Sequence, residues 1–145
     1  MKEKANDNII FLNLIIENAR MGLIGIDTII EKIEDEKLSK IVKEQRAEYE
    51  NIIDEAKDIL IKYGAKMEDS SKMSQISSKI MSEVMTLGAS DKKMAKLMME
   101  GNEKGVMAIT ENIHKYDNED QEIVELAKKL LDTEEHNREE FKEFL

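Results

Sequence analysis

The chain contains no cysteine, no proline and no tryptophan, and each absence excludes something. Without cysteine the protein has no disulfide, no thiolate zinc site and no cysteine-ligated iron–sulfur cluster. Without proline, which removes an amide donor and breaks helices, long helices can run uninterrupted. Aromatic residues make up only 4% of the chain, while Ile, Leu, Met, Glu and Lys dominate. This composition predicts an all-α protein.

Positive charge is also scarce, and the formal net charge is −10. Nucleic acid and anionic membrane surfaces repel such a chain, so neither is an expected partner. The first twenty residues match a signal peptide only in part. Glu3 and Asp7 add negative charge to the N-terminal region, which is basic in signal peptides, and no small-residue cleavage site follows. No uninterrupted apolar run approaches the roughly 20 residues that span a bilayer. We therefore expect a soluble cytoplasmic protein with one domain, residues 1–145.

Apolar residues recur at helical spacing in four segments, at about residues 7–33, 35–64, 90–116 and 120–145. Asp35 suits a helix N-cap, and Gly64 suits the position after a helix end. The serine- and methionine-rich residues 66–90 lie between the second and third segments, and they predict a partly helical crossover. The order is two helical hairpins joined by one long crossover, which is the arrangement of ferritin-like four-helix bundles.

Three stretches carry a resemblance to a known family: "KEQRAEYENIIDEAKDIL", "MMEGNEKGVMAIT" and "AKKLLDTEEHNREEFKEFL". In these stretches the chain resembles the ferritin-like superfamily, and in particular the small uncharacterised ferritin-like proteins of spore-forming bacteria. The likeness covers nearly the whole chain as a pattern of helices. It implies a di-iron site made of one Glu from each of two helices and a Glu-x-x-His motif from each of the other two.

The residues at the motif positions depart from that site. The core-facing pairs are Gln45 with Glu48 and Glu134 with Asn137, and neither pair contains the histidine. His136 lies one position off the apolar stripe and should point sideways or outward. We therefore predict no metal, no cofactor and no catalytic residue here.

The same residues predict a polar layer inside the protein. A buried carboxylate needs a partner, and Arg20 on the first helix is the expected cation for Glu134. The alternative is an atypical di-metal carboxylate protein, binding iron or manganese and serving iron handling or oxidation, with Glu17, Glu48 and Glu134 as ligands. The segment at residues 90–116 offers no ligand to such a site at its predicted inward positions, which are Gly101, Gly105 and Ala108.

The remaining candidate features have simpler explanations. Glu111 and His114 form the only literal Glu-x-x-His, but both should lie on the surface. The 10 methionines are expected to fill the core, the alternatives being a Cu(I) site or a peptide-binding groove. The helical glycines predict close helix–helix approach, with a ligand cavity as the alternative. The chain has no phosphate-binding loop and no nucleophile motif, so no enzymatic activity is expected.

The sequence thus favours a non-catalytic structural or protein-interaction module whose metal site is degenerate and whose partner is unknown. A small-molecule or peptide binder with a Met- and Gly-lined interior is a further possibility. The apolar stretch "IIFLNLII", residues 9–16, is apolar on more than one face. Such a surface needs a cover, and the prediction is either a second subunit, meaning self-association, or the crossover.

Overall fold

The computed structural model describes residues 2–68, 72–88, 90–116 and 120–145. These residues form five α-helices and no strand, so the all-α prediction is confirmed for the described part of the chain. The helices are α1 (Lys2–Ile29), α2 (Glu36–Lys62), α3 (Lys72–Leu87), α4 (Asp91–Lys115) and α5 (Gln121–Phe141). Short 3₁₀ turns follow α1 at Ile30–Lys32 and α5 at Lys142–Phe144.

The helix ends are set by local capping residues. Asp35 accepts a hydrogen bond from the Leu38 backbone amide and starts α2, as predicted. Gly64 has φ of +69°, a left-handed conformation that favours glycine, and it follows the end of α2. Ser90 caps α4 and Asp120 caps α5 in the same way as Asp35. The sequence "DNED", residues 117–120, predicts a short turn between α4 and α5, and its residues 117–119 lie outside the described residues.

Side-chain contacts at the helix ends fix the direction of each helix. At one end, the Asp91 carboxylate at the start of α4 accepts from the backbone amides of Glu34 and Asp35, at 3.0 and 2.8 Å. At the other end, the Tyr63 hydroxyl donates to the Asp120 carboxylate at 2.7 Å, and the Asp120 amide donates to Asn8 at 3.0 Å. Thus α1 and α5 run in one direction, while α2 and α4 run in the other.

The four longest helices share one core. Each of α1 and α5 packs against both α2 and α4, so every one of these neighbouring pairs is antiparallel. The helix α3 returns the chain from the Tyr63 end to the Asp91 end and packs mainly on α1. The predicted partly helical crossover is therefore present, with its helix at Lys72–Leu87.

The crossover also covers part of the apolar first helix. Phe11 is fully buried and stacks on Tyr116 with ring centroids 5.1 Å apart. The Glu68 backbone amide donates to Asn13 at 3.1 Å, which lays the start of the crossover across α1. The start of the crossover thus lies over part of residues 9–16, while Tyr116 at the end of α4 covers Phe11, and a second subunit stays a prediction.

By length and composition alone, residues Asn6–Lys32 would suffice to cross a membrane, with a mean hydropathy of 1.6 over the most apolar window. A window that contains a few polar or charged residues can pass this test even though the sequence has no uninterrupted apolar run of about 20 residues. In the fold, however, 39% of that window is buried within the protein. Packing against α2, α4 and α3 therefore accounts for part of the apolar composition of α1.

Candidate functional site

A layer of polar side chains interrupts the apolar core about halfway along the helices. All four long helices contribute to it, and its members are Asn18 from α1, Gln45 and Tyr49 from α2, Asn102 from α4, and Glu134 and Asn137 from α5. Each of these side chains is buried. On α2 and α5 the paired members are three or four residues apart, which places them on one helix face.

Glu134 is the centre of this layer. Only 2% of the residue is exposed, and the Asn102 side-chain amide donates to its Oε2 atom at 2.9 Å. The same amide nitrogen lies 3.3 Å from the Tyr49 hydroxyl, to which it also donates. These contacts join α2, α4 and α5 in one buried network.

Two glycines make room for this network. A Cβ atom at Gly105 would lie 2.8 Å from the Glu134 carboxylate, so a larger residue at 105 would collide with it. A Cβ atom at Gly22 would lie 2.6 Å from the rigid Tyr49 ring. The prediction that helical glycines serve close approach is confirmed at these two positions. It is wrong at Gly101, which is exposed and has no neighbour within 4 Å.

Burial shifts the protonation of both ionisable groups in the layer. Loss of water raises the pKa of Glu134 to about 7, although hydrogen bonds from Asn102 and Tyr49 oppose the shift. Burial likewise raises the pKa of Tyr49 well above its usual range, and the nearby Glu134 charge adds to the shift. Near neutral pH, Glu134 therefore exchanges between a carboxylic acid and a carboxylate while Tyr49 stays protonated.

Hydrogen-bond acceptors orient the side-chain amides of Asn18, Gln45 and Asn102, in the last case the Glu134 carboxylate. The Asn18 nitrogen donates to the Gly105 carbonyl at 3.1 Å, and the Gln45 nitrogen donates to Glu140 at 3.3 Å. The Asn102 nitrogen faces Glu134. The amide oxygens must consequently point the other way, since carbonyls and carboxylates cannot donate to them.

Those oxygens have no partner within the described protein. The buried atoms without a hydrogen bond are Oδ1 of Asn18, Oε1 of Gln45, Oδ1 of Asn102, and both Oδ1 and Nδ2 of Asn137. Asn137 lies close to the Tyr49 hydroxyl but is not aligned to bond with it. An unpaired buried polar group costs about 1–3 kcal/mol, so five of them would consume most of an ordinary folding free energy. The layer therefore needs donors from beyond the described residues, and four of its five unpaired atoms are acceptors.

The predicted pair between Arg20 and Glu134 is wrong. The Arg20 guanidinium donates instead to the Glu68 carbonyl at 3.3 Å and to the Met67 sulfur at 2.8 Å. Arg20 lies on the side of α1 that faces the start of the crossover, so it cannot serve the central layer. Glu134 is held by neutral groups alone.

Two other carboxylates named from the sequence also lie elsewhere. Glu48 is exposed on α2, although its predicted position was inward, and Glu17 is only half-buried on α1. Partial burial raises the pKa of Glu48, while the charge of His136 opposes the shift. Among the described residues no group of three His, Cys, Asp or Glu could hold a metal ion. The alternative ligand set of Glu17, Glu48 and Glu134 is thus not brought together.

The donor set of the layer does not fit the di-iron centre that the resemblance implies. Such a centre needs four carboxylates and two histidines, whereas the layer supplies one carboxylate, one phenol and four amides. His136 is exposed, as predicted, and its Nε2 atom lies 3.4 Å from Glu140. Glu111 and His114 are both exposed, so that prediction is also confirmed.

An open groove of about 520 Å³ lies outside the layer, between α2 and α5. Its wall mixes acidic and basic side chains, including Glu48, Lys129, Asp132 and His136. The methionines show no comparable grouping, because Met94 and Met98 fill the core as predicted while Met85 is largely exposed. Neither feature forms an enclosed binding site.

Sequence reasoning missed Asn102 and Asn18. The predicted stripe on α4 ran through Gly101 and Ala108, but both are exposed, and the buried stripe instead contains Met94, Met98, Asn102 and Ile109. The spacing of Met94, Met98, Asn102, Gly105 and Ile109 carried the necessary signal, since it follows the i, i+4, i+8, i+11, i+15 repeat. The signal was overlooked because Asn is rarely buried.

Comparisons of this chain with protein-family models, with curated proteins and with solved structures gave no match.

Proposed function

We propose that this protein is a ferritin-like helical bundle without a di-metal centre, which acts as a non-catalytic structural or protein-interaction module. The helix directions support the ferritin-like part of the proposal. Two antiparallel pairs, α1 with α2 and α4 with α5, are joined by the long crossover that contains α3. We further propose that the protein is cytoplasmic.

The observation that carries the non-catalytic role is the chemistry of the central layer. In a ferritin-like di-iron protein, the inward side chains at mid-bundle are carboxylates and histidines. Here they are Tyr49, Asn102, Asn137 and a single carboxylate, Glu134. Amides in place of carboxylates leave too little negative charge to hold two divalent ions.

A metal titration tests this role. We expect Fe²⁺ or Mn²⁺, added under anaerobic conditions, to leave the melting temperature unchanged, because only a ligand that binds the folded state raises it. Protein purified without chelators should also contain no stoichiometric iron or manganese. A metal-dependent rise in melting temperature that disappears in Glu134→Leu would contradict the proposal and favour the di-metal alternative.

Self-association is the interaction that the exposed apolar residues favour. Ile61 is 71% exposed and Ile10 is 44% exposed, at the end of the protein where α2 finishes and α1 begins. Phe11 is unsuitable for testing this surface because it is buried, and a charge there would unfold the protein. Sedimentation velocity of Ile10→Glu and Ile61→Glu is the better test. An oligomer that persists in both variants, or a wild-type monomer, would contradict self-association through this end.

A further inference from the structure

We propose that the central polar layer binds one small monovalent cation, of the size of potassium or ammonium, through Glu134 and the free amide oxygens beside it. The proposal goes beyond the proposed function and does not depend on whether the protein binds iron or manganese.

The surplus of acceptors is the first argument. The Asn102 side chain gives its nitrogen to Glu134 and Tyr49, so its Oδ1 atom is left inside the layer without a donor. Asn137 lies one helical turn from Glu134, is completely buried and has a free Oδ1 atom. The Asn18 nitrogen donates to the carbonyl of Gly105, where a Cβ atom would lie 2.8 Å from the Glu134 carboxylate, so the free Oδ1 atom of Asn18 belongs to the same layer.

The missing countercharge is the second argument. The hydrogen bonds to Glu134 come from the neutral groups of Asn102 and Tyr49, and no ion pair reaches it among the described residues. Arg20, the cation that the sequence predicts as the partner of Glu134, donates its hydrogen bonds to Met67 and Glu68 instead. A buried carboxylate without a countercharge is unfavourable. A bound cation would balance the negative charge of Glu134 and would also contact the unpaired amide oxygens of the layer.

The ligand chemistry selects the class of cation. One carboxylate and neutral amide and phenol oxygens are hard donors that suit alkali-type ions, while thiolate and imidazole ligands are absent from the set. One negative charge balances one positive charge. Because all members of the layer are buried, a bulky organic cation cannot enter without unfolding the site.

The experiment compares melting temperatures in three chloride salts at equal ionic strength, about 0.1 M, and at about pH 8. Potassium and ammonium are the probes, and N-methylglucamine is the control cation because it is too large for the layer. Equal ionic strength is essential, since any salt screens the repulsion within a chain of net charge −10. We expect a melting temperature at least about 3 °C higher with potassium or ammonium than with N-methylglucamine.

Two variants assign the effect to the layer. Glu134→Gln keeps the side-chain shape but removes the charge, so it should abolish the difference between the cations. Glu135→Gln changes the exposed neighbour on the same helix and should retain the full difference. A second measurement needs no variant: ¹⁵N-labelled ammonium in the layer should give a bound signal with protected protons, which potassium displaces.

Three results would overturn the proposal. Equal melting temperatures in all three salts, together with no bound ammonium signal, would mean that water alone completes the layer. A cation effect that persists in Glu134→Gln would place the binding elsewhere on the protein. Loss of the effect in Glu135→Gln would attribute it to surface charge.

Discussion

The apolar cluster around Phe11, near the Tyr63 end of the protein, and the central polar layer are both buried but are stabilised differently. Phe11 is fully buried and stacks on Tyr116, an apolar contact that depends on the volume that the ring fills. In the central layer, Glu134 depends on hydrogen bonds that have a fixed direction and on the space left by Gly105. Burial alone therefore does not decide how a position responds to change. An apolar position responds to lost volume, and a polar position responds to lost partners and to pH.

The largest effect is expected at the apolar end. Phe11→Ala should lower the free energy of unfolding by about 3–5 kcal/mol, because it removes a fully buried ring and leaves a cavity. Urea denaturation monitored by circular dichroism measures this loss. Ile61→Ala is the matched control, since that side chain is exposed and should change stability by less than about 0.5 kcal/mol. A small loss in Phe11→Ala would mean that the end is loosely packed, and the contrast with the layer would fail.

The next effect concerns pH and belongs to the layer alone. The pKa of Glu134 is raised from 4.5 to about 7 in the folded protein, so the folded state binds the proton more tightly than the unfolded state. Its contribution to stability is complete below about pH 4.5 and is lost as pH rises toward 7. Glu134→Gln should therefore be more stable than the wild type by about 3 kcal/mol at pH 8 and should approach it near pH 4.5.

Urea denaturation across this pH range, in buffers whose only cation is N-methylglucamine, measures the difference. The exposed Glu135→Gln variant is the control and should follow the wild-type curve. If Glu134→Gln and the wild type lose stability in parallel as pH rises, Glu134 is ionised without penalty. The layer would then resemble a solvated surface more than a buried site.

A smaller effect should separate the two kinds of glycine. Gly22→Ala and Gly105→Ala should each destabilise the protein by about 1–3 kcal/mol, because the added methyl group collides with Tyr49 or with Glu134. Gly101→Ala should instead stabilise it by up to about 1 kcal/mol, since alanine is the better helix former and nothing lies nearby. Thermal denaturation of the three variants measures both signs. A gain in stability for Gly105→Ala would show that Glu134 has room to move.

The secondary structure and most of the apolar core follow from local features of the sequence. The absence of proline, the helical spacing of apolar residues and the capping residues Asp35, Gly64 and Ser90 act locally, so they are readable without the fold. The position of the crossover and the inward direction of Gln45, Glu134 and Asn137 followed from the same periodicity. These features depend on neighbours three or four residues away along one helix.

Which polar groups meet depends on how the helices pack against one another. Glu48 is three residues from Gln45, yet the exact rotation of α2 leaves one exposed and the other buried. Arg20 turns to the crossover because Met67 and Glu68 pass over that side of α1. Asn102 reaches Glu134 because α4 and α5 pack so closely that a Cβ atom at Gly105 would collide with the carboxylate. Each of these outcomes depends on the rotation and separation of helices that are distant in sequence, and a periodic pattern does not specify either quantity.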